Sequence, residues 1–399
     1  MTLRQLPPVG TPVFTGHNNL SASQKPLKFV GFSHTFLQSG TAALALALSK
    51  MVQHGGSQKR NVVIPGYGCP DLVAACEYAE TQPVIVDFDA NSYQYDLDQI
   101  KQLDQSLLAI ICPSLLGISM PLDTLRKAFS SDVFIIEDNA QWFPESDQAT
   151  LQRDRTNPLN EYRLPANTHN ADFFITSFGR GKPVNLMGGG LLAWQEKYSD
   201  WFSEFNSAQS IAKPTALTLQ TRVKANLFNW VCHPVPYGLI SRIPALKLGA
   251  TEYHRLADVQ MMEGEKVSVS SDAISHYLSR PQTLSELLKK NLPVAWPQQS
   301  GTKRLLRLPL LAANREIRDT IVAKCNTRGL GASVMYGKPL VCIDQIREKV
   351  DTPFSTPIAQ NVADGFFTLP LHPGVTFKHA EKMIEVLTPY FTDLKKVPA

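Results

Sequence analysis

Between Ser39 and Trp194 the chain repeats one pattern. A short, unbroken apolar run rich in Val and Ile is followed by a stretch with helical spacing. The runs are Asn61–Pro65 (NVVIP), Pro83–Asp87 (PVIVD), Leu107–Cys112 (LLAIIC), Val133–Ile136 (VFII), Phe173–Thr176 (FFIT) and Leu191–Trp194. Helical stretches surround Leu44–Ser49 and cover Asp71–Glu80 and Leu122–Phe129. A strand that is apolar at every position, rather than at alternate ones, has both faces covered. Such strands alternating with helices predict an α/β fold with a mostly parallel central sheet. Ligands of these sheets bind beyond the carboxyl ends of the strands, so the polar residues that follow each run are the first functional candidates.

At 399 residues the chain has room for two or three domains. The pattern changes over Glu196–Gly249. Trp201, Phe202, Phe205, Phe228 and Trp230 are followed there by the Pro-punctuated VCHPVPYGLISRIPALKLG. A second, smaller α/β pattern starts near Leu305. It comprises RLLRLPLL, a helix over Arg315–Arg328 stopped by Gly329, then SVMY, FFTLPLHPG and a last amphipathic helix over Ala380–Tyr390. These features predict an N-terminal arm over 1–34, a large domain over 35–255 carrying an insertion at 196–249, and a small C-terminal α/β domain over 256–399.

Several classes of function are disfavoured. Lys plus Arg minus Asp plus Glu is 39 − 35 = +4, too little for nucleic-acid binding by bulk charge. The longest uncharged apolar-rich run, Gln105–Leu122, contains Pro113 and Gly117 and divides into a strand and a loop, so no membrane span is expected. The first residues lack the basic start and apolar centre of a signal peptide, and six scattered cysteines form no C-x-x-C pair. A cytoplasmic enzyme with reduced thiols and no metal site is the expectation. His233 and His254 are read as structural histidines, with a substrate-lining role as the alternative. The aromatic cluster at 201–230 is read as core or subunit contact; a membrane-surface substrate is the alternative, given Arg222 and Lys224 among its apolar residues.

Three segments hold candidate chemistry. SGTAALALAL (Ser39–Leu48) puts small residues at a helix start, where bare amides form an anion site or an ordinary capped end. VFIIEDNAQ (Val133–Gln141) ends a buried strand in Glu137 and Asp138, so a carboxylate either pairs with a cation in the cleft or caps a turn. TSFGRGKPVNLMGGG (Thr176–Gly190) runs a strand into Ser177 and then a glycine-rich loop around Lys182. Glycines allow a tight path and close approach of a ligand. A lysine in such a cleft is a nucleophile for a carbonyl; elsewhere it is an ordinary surface lysine. Neither G-x-x-x-x-G-K-[ST] nor a strand-linked G-x-G-x-x-G is present.

The succession SGTAAL, VVIPGYGCPDLVAA, PVIVDFDANSYQYDLD, FIIEDNAQ, SFGRGK with GGG, ASVMYGKPL and LPLHPGVT resembles the DegT/StrS-type sugar aminotransferases over about residues 35–195 and 255–390. These are fold-type I enzymes that use pyridoxal 5′-phosphate. The resemblance implies a large domain with a mostly parallel sheet, a smaller C-terminal domain and a homodimer. Lys182 matches the lysine that bonds to the cofactor and moves a proton between cofactor and substrate. Asp138 matches the carboxylate facing the pyridine nitrogen, Gln141 the side chain near the phenolic oxygen, and Ser177 a phosphate ligand. Gly40, Thr41 and Ala42 match the main phosphate cradle. Where the family stacks an aromatic residue on the ring, this sequence offers Cys69, with Tyr67 beside it. The family's H-L-[FY]-G segment reads SLLG (Ser114–Gly117), and its partner-subunit asparagine falls near Tyr253. The implied reaction is amino transfer from an amino acid, glutamate in the first instance, to a keto-sugar nucleotide. A non-sugar ring substrate, or a silent cofactor-binding homologue, is the alternative. Lys182 argues against the dehydratase relatives, which carry histidine there.

Overall fold

The computed structural model describes residues 3–16, 27–55, 58–145, 160–205, 216–243, 249, 251–300 and 303–397. The strands are β1 (Leu27–Phe29), β2 (Phe32–Leu37), β3 (Asn61–Pro65), β4 (Gln82–Val86), β5 (Leu107–Pro113), β6 (Phe134–Asp138), β7 (Asn160–Tyr162), β8 (Phe173–Ser177), β9 (Gly190–Gln195), β10 (Arg307–Leu311) and β11 (Phe366–Pro370). The helices are α1 (Gly40–His54), α2 (Asp71–Tyr78), α3 (Leu97–Gln102), α4 (Leu122–Ala128), α5 (Leu219–Val231), α6 (Pro234–Ile240), α7 (Gly264–Leu278), α8 (Thr283–Asn291), α9 (Pro297–Ser300), α10 (Arg315–Thr327), α11 (Pro357–Gly365) and α12 (Phe377–Leu387).

Strands β1 to β9 form one sheet in the order β4-β3-β5-β6-β8-β9-β2-β1-β7, and β10 pairs antiparallel with β11 in a small second sheet. From β4 to β8 every pairing is parallel. The unbroken apolar runs have the cause read from the sequence. Val62, Ile64, Ala109, Ile111 and Ile136 pack with α1 and α2 on one face. Val63, Ile110, Cys112 and Ile135 pack into a separate core on the other.

The sheet is mostly parallel, as expected, with β1 parallel to β7 and antiparallel pairings around β9 and β2. β9 runs antiparallel to both β8 and β2, and β1 is antiparallel to β2. The connection 178–189 turns back on itself, with Phe178 N donating to Gly189 O and Leu186 N to Phe178 O. The chain therefore returns as a hairpin, without a crossover helix. Strands β1 and β2 have no sequence counterpart, because FSHTFL carries polar residues within its apolar ones. SVMY is not a strand. Ser333 makes a single bridge to Thr368, and the backbone then turns through positive φ at Tyr336 and Gly337.

Two contacts fix the frame around the sheet's carboxyl edge. Asp87, just past β4, accepts from the backbone amides of Ile358 and Ala359 at 2.9 and 2.8 Å, which seats the start of α11. At the other end of the edge, Gly190 lies against the start of α1. A Cβ there would be 2.4 Å from the Ser39 carbonyl and 2.5 Å from Gly40 N. Backbone cannot yield as a side chain can, so Gly190→Ala should destabilise the fold by about 1–3 kcal/mol or more. At Gly179 the nearest atom to an added Cβ is 3.5 Å away, and Gly179→Ala should melt near wild type. Equal melting temperatures for the two variants would refute the contact.

Candidate active site

A cavity of about 260 Å³ opens beyond the carboxyl ends of β3, β5, β6 and β8, where Pro65, Pro113, Asp138 and Ser177 line it. Gly40 and Thr41, at the start of α1, close one side. Lys182 enters from the loop after β8 and is half-buried. That loop holds its shape through the bond from Lys182 N to Gly179 O and through Gly181, whose φ of 75° suits glycine. Val9 of the N-terminal arm lies beside Gly181.

Asp138 is the last residue of β6 and is 9% exposed. Its Oδ1 accepts from Ala140 N at 2.9 Å. It therefore caps the turn, and it also borders the cavity, so the two readings of this residue are not exclusive. Burial pushes its carboxyl above the ordinary value, while the Ala140 amide and the Lys182 cation pull it back. Its neighbour Glu137 is 1% exposed and is likewise raised by burial.

Ser39 caps α1 by accepting from Ala42 N at 3.0 Å. Of the three amides expected at the anion site, Ala42's is thus held by the cap, and only Gly40 and Thr41 border the cavity. Ser177 stands beside them: a Cβ on Gly40 would be 2.9 Å from its Cβ and 3.3 Å from its Oγ. The glycines of the GGG run do not line the cavity. They serve chain-to-chain contact, Gly189 against Met262 and Gly190 against Ser39.

Tyr67 and Cys69 both border the cavity. Tyr67 is 2% exposed and its hydroxyl donates to Met335 O, so its ring is held back. Cys69 is more open, and burial with Asp71 nearby pushes its thiol up to about 12 against the pull of Lys182, which keeps it neutral at ordinary pH. Gln141 borders the same space and its Nε2 donates to the Tyr336 hydroxyl at 3.2 Å. Tyr253 lies elsewhere: its hydroxyl donates to Glu77, and Lys349 sits 5.1 Å from its ring centroid.

Other cavity residues have no role read from the sequence, although Phe88, Tyr93, Ser114 and Tyr336 fall within its motifs. Tyr336 comes from a turn 195 residues beyond Gln141. Its YG dipeptide marks the turn but not the destination. Ser114 borders the cavity and is 1% exposed, and its buried hydroxyl has no hydrogen-bond partner. Phe88, Tyr93, Leu115, Ile118, Met120 and Trp296 give the cavity an apolar wall. In the lining, Lys182 is the one cation among the described residues, against Asp71 and Asp138. No group of three or more His, Cys, Asp or Glu among the described residues could hold a metal ion.

Known proteins share this fold and part of this sequence. Over 111 residues the chain is 32% identical to GDP-perosamine synthase of Escherichia coli O157:H7, a match spanning 27% of this chain and 30% of that protein. Spr1654 from Streptococcus pneumoniae, in its PLP form, superposes with a TM-score of 0.62 at 19% identity, covering 93% of this chain and 87% of the other. 3-Amino-5-hydroxybenzoic acid synthase superposes with a TM-score of 0.60 at 15% identity, covering 89% and 85%. At these identities the superpositions speak to the fold. The family model of the DegT/DnrJ/EryC1/StrS aminotransferases matches residues 13–199 and 258–388, and the chain belongs to that family of pyridoxal-phosphate-dependent enzymes.

Proposed function

We propose that the protein, acting as a cytoplasmic homodimer, moves an amino group from an amino acid, glutamate in the first instance, to the keto group of a nucleotide-linked sugar used for a cell-surface polysaccharide or a secondary metabolite. One observation carries this reading. A buried carboxylate, a lysine and a hydroxyl beside a helix start all border one cavity at the carboxyl edge of the sheet. That donor set fits pyridoxal phosphate. Asp138 suits the pyridine nitrogen, Lys182 the aldehyde, and Ser177 with the amides of Gly40 and Thr41 the phosphate. Cys69 is the open side chain next to the ring position, and Gln141, held by Tyr336, suits the phenolic oxygen. The similarity to GDP-perosamine synthase favours a nucleotide sugar. The apolar wall and the fold shared with 3-amino-5-hydroxybenzoic acid synthase favour the second reading, a non-sugar ring.

The cofactor, when bound, supplies an electron sink for a carbanion at the donor's α-carbon. The Asp138 carboxylate holds the proton at the ring nitrogen, and its burial strengthens that bond. Lys182 Nζ takes the proton from the donor carbon and later returns one to the carbon that receives the amine. Cys69, neutral at working pH, gives the ring an uncharged face.

Purified protein should be yellow, and borohydride should fix the cofactor to Lys182. A label mapped to another lysine would overturn the assignment. Lys182→Ala should abolish turnover. A screen of keto-sugar nucleotides against the amine-loaded enzyme should identify the acceptor through recovery of the aldehyde-form absorbance.

Asp138 gives a prediction with a sign. Its carboxyl is raised in the folded state, so ionisation costs stability. The cost is absent below the ordinary carboxylate range and develops as pH rises through the raised folded value. Asp138→Asn removes that cost, so the cofactor-free variant should melt at or above cofactor-free wild type at neutral pH. The same change removes a charge-assisted hydrogen bond worth about 1.5–3 kcal/mol, so cofactor affinity should fall roughly 10–100-fold. Unchanged affinity in a cofactor titration would leave Asp138 as a turn cap only.

A further inference from the structure

The segment missed by the family match, 200–257, contains α5 and α6. The inner face of α5 packs on the body of the protein. Ala225 is buried, and Asn229 donates to Val13 O and accepts from Val13 N, which ties the helix to the N-terminal arm. Glu265 of α7 accepts from Thr218 N and Thr221 Oγ on the same inner side. The outer face is apolar and uncovered. Leu219, Val223, Leu227 and Trp230 recur at helical spacing and are 79%, 58%, 58% and 61% exposed. Beyond the connection, α6 buries Pro236, sets Gly238 against the arm and turns Val235 and Leu239 outward, with Ile243 exposed after it.

The charge around this face has one sign. The described residues 216–243 contain no Asp or Glu, but they do contain Arg222, Lys224 and Arg242. At about 100° per residue, Arg222 and Lys224 fall on the two flanks of the Leu–Val–Leu–Trp stripe. We propose that α5 and α6 dock the protein onto an anionic lipid surface, lying in the interface plane with Leu219, Val223, Leu227, Trp230 and Leu239 turned toward the acyl boundary. Leucine and tryptophan on one face with basic residues at its margins suit that interface, with Trp at headgroup depth and Lys and Arg reaching lipid phosphates. A two-fold contact of the face with itself would instead set basic residues against basic residues with no carboxylate between them. Among the described residues no helix is long and apolar enough to cross a membrane, so the mode is peripheral.

The test is co-sedimentation of the purified holoenzyme with sucrose-loaded vesicles of phosphatidylcholine, with and without about 30% phosphatidylglycerol. Binding to the anionic vesicles should exceed that to neutral ones at least tenfold and should fall in about 0.5 M salt. Leu227→Ser with Trp230→Ser should cut binding roughly tenfold or more through lost apolar insertion. Lys224→Glu should cut it by about fivefold or more. All these side chains are exposed, so melting temperature and cofactor absorbance should stay at wild-type values. Equal partition of wild type to both vesicle types, or undiminished binding by the variants, overturns the proposal. So does dissociation of the assembly of Leu227→Ser with Trp230→Ser in sedimentation velocity, which would assign the face to a second copy of the chain.

Discussion

The start of α1 meeting β8 and β9 is the contact on which the rest of the site depends. Gly190 has no side chain, so the backbone of Ser39 and Gly40 can lie directly against it. Gly40 has none either, and Ser177 fills the space beside it. Two segments more than 130 residues apart are thereby locked at van der Waals distance. The helix start, the end of β8 and the Lys182 loop become one rigid corner. Backbone packed on backbone has no rotamers to adjust, so the position of Lys182 relative to the amides of α1 is set by the fold rather than by side-chain choice.

The second half of the cavity is assembled across the chain in a different way. Asp87 seats α11, and through it β11 and the neighbouring turn at Tyr336 are brought over the sheet's edge. Tyr67 donates to Met335 O and Gln141 donates to Tyr336, so hydrogen bonds from the large sheet reach the same turn. Tyr336 takes a positive φ to do this, a conformation a bulky residue adopts only when its surroundings require it. The placing of Gln141 at the cavity therefore depends on contacts from both parts of the chain.

The insertion follows a separate logic. α5 and α6 add no side chain to the cavity, yet the inner face of α5 is tied to the N-terminal arm through Asn229. Their outer faces are apolar where a solvent-facing helix would be polar. The N-terminal arm lies between the two regions, bonded to Asn229 through Val13 and in contact with Gly181 through Val9. The arm thus joins the exposed apolar face of α5 and α6 to the loop that carries Lys182.

The sequence by itself determined the parallel half of the sheet, because continuous apolar runs have no other stable placement, and the candidate residues at its carboxyl edge followed from that topology. It also offered Lys182, Asp138, Gln141 and Ser177, since small motifs with distinctive chemistry are local. Tertiary structure alone decided three things. The direction of β9 was set by a hairpin whose closing bonds join Phe178 to Gly189 and Leu186. The GGG run, read as room for a ligand, was assigned to chain-to-chain contact because its partners, Ser39 and Met262, are distant in sequence. The placing of Tyr336, Ser114 and the aromatic wall around one cavity depended on register between separate elements. Residue type and spacing report what a segment can do locally; which other segment it meets is fixed only when the whole core has closed.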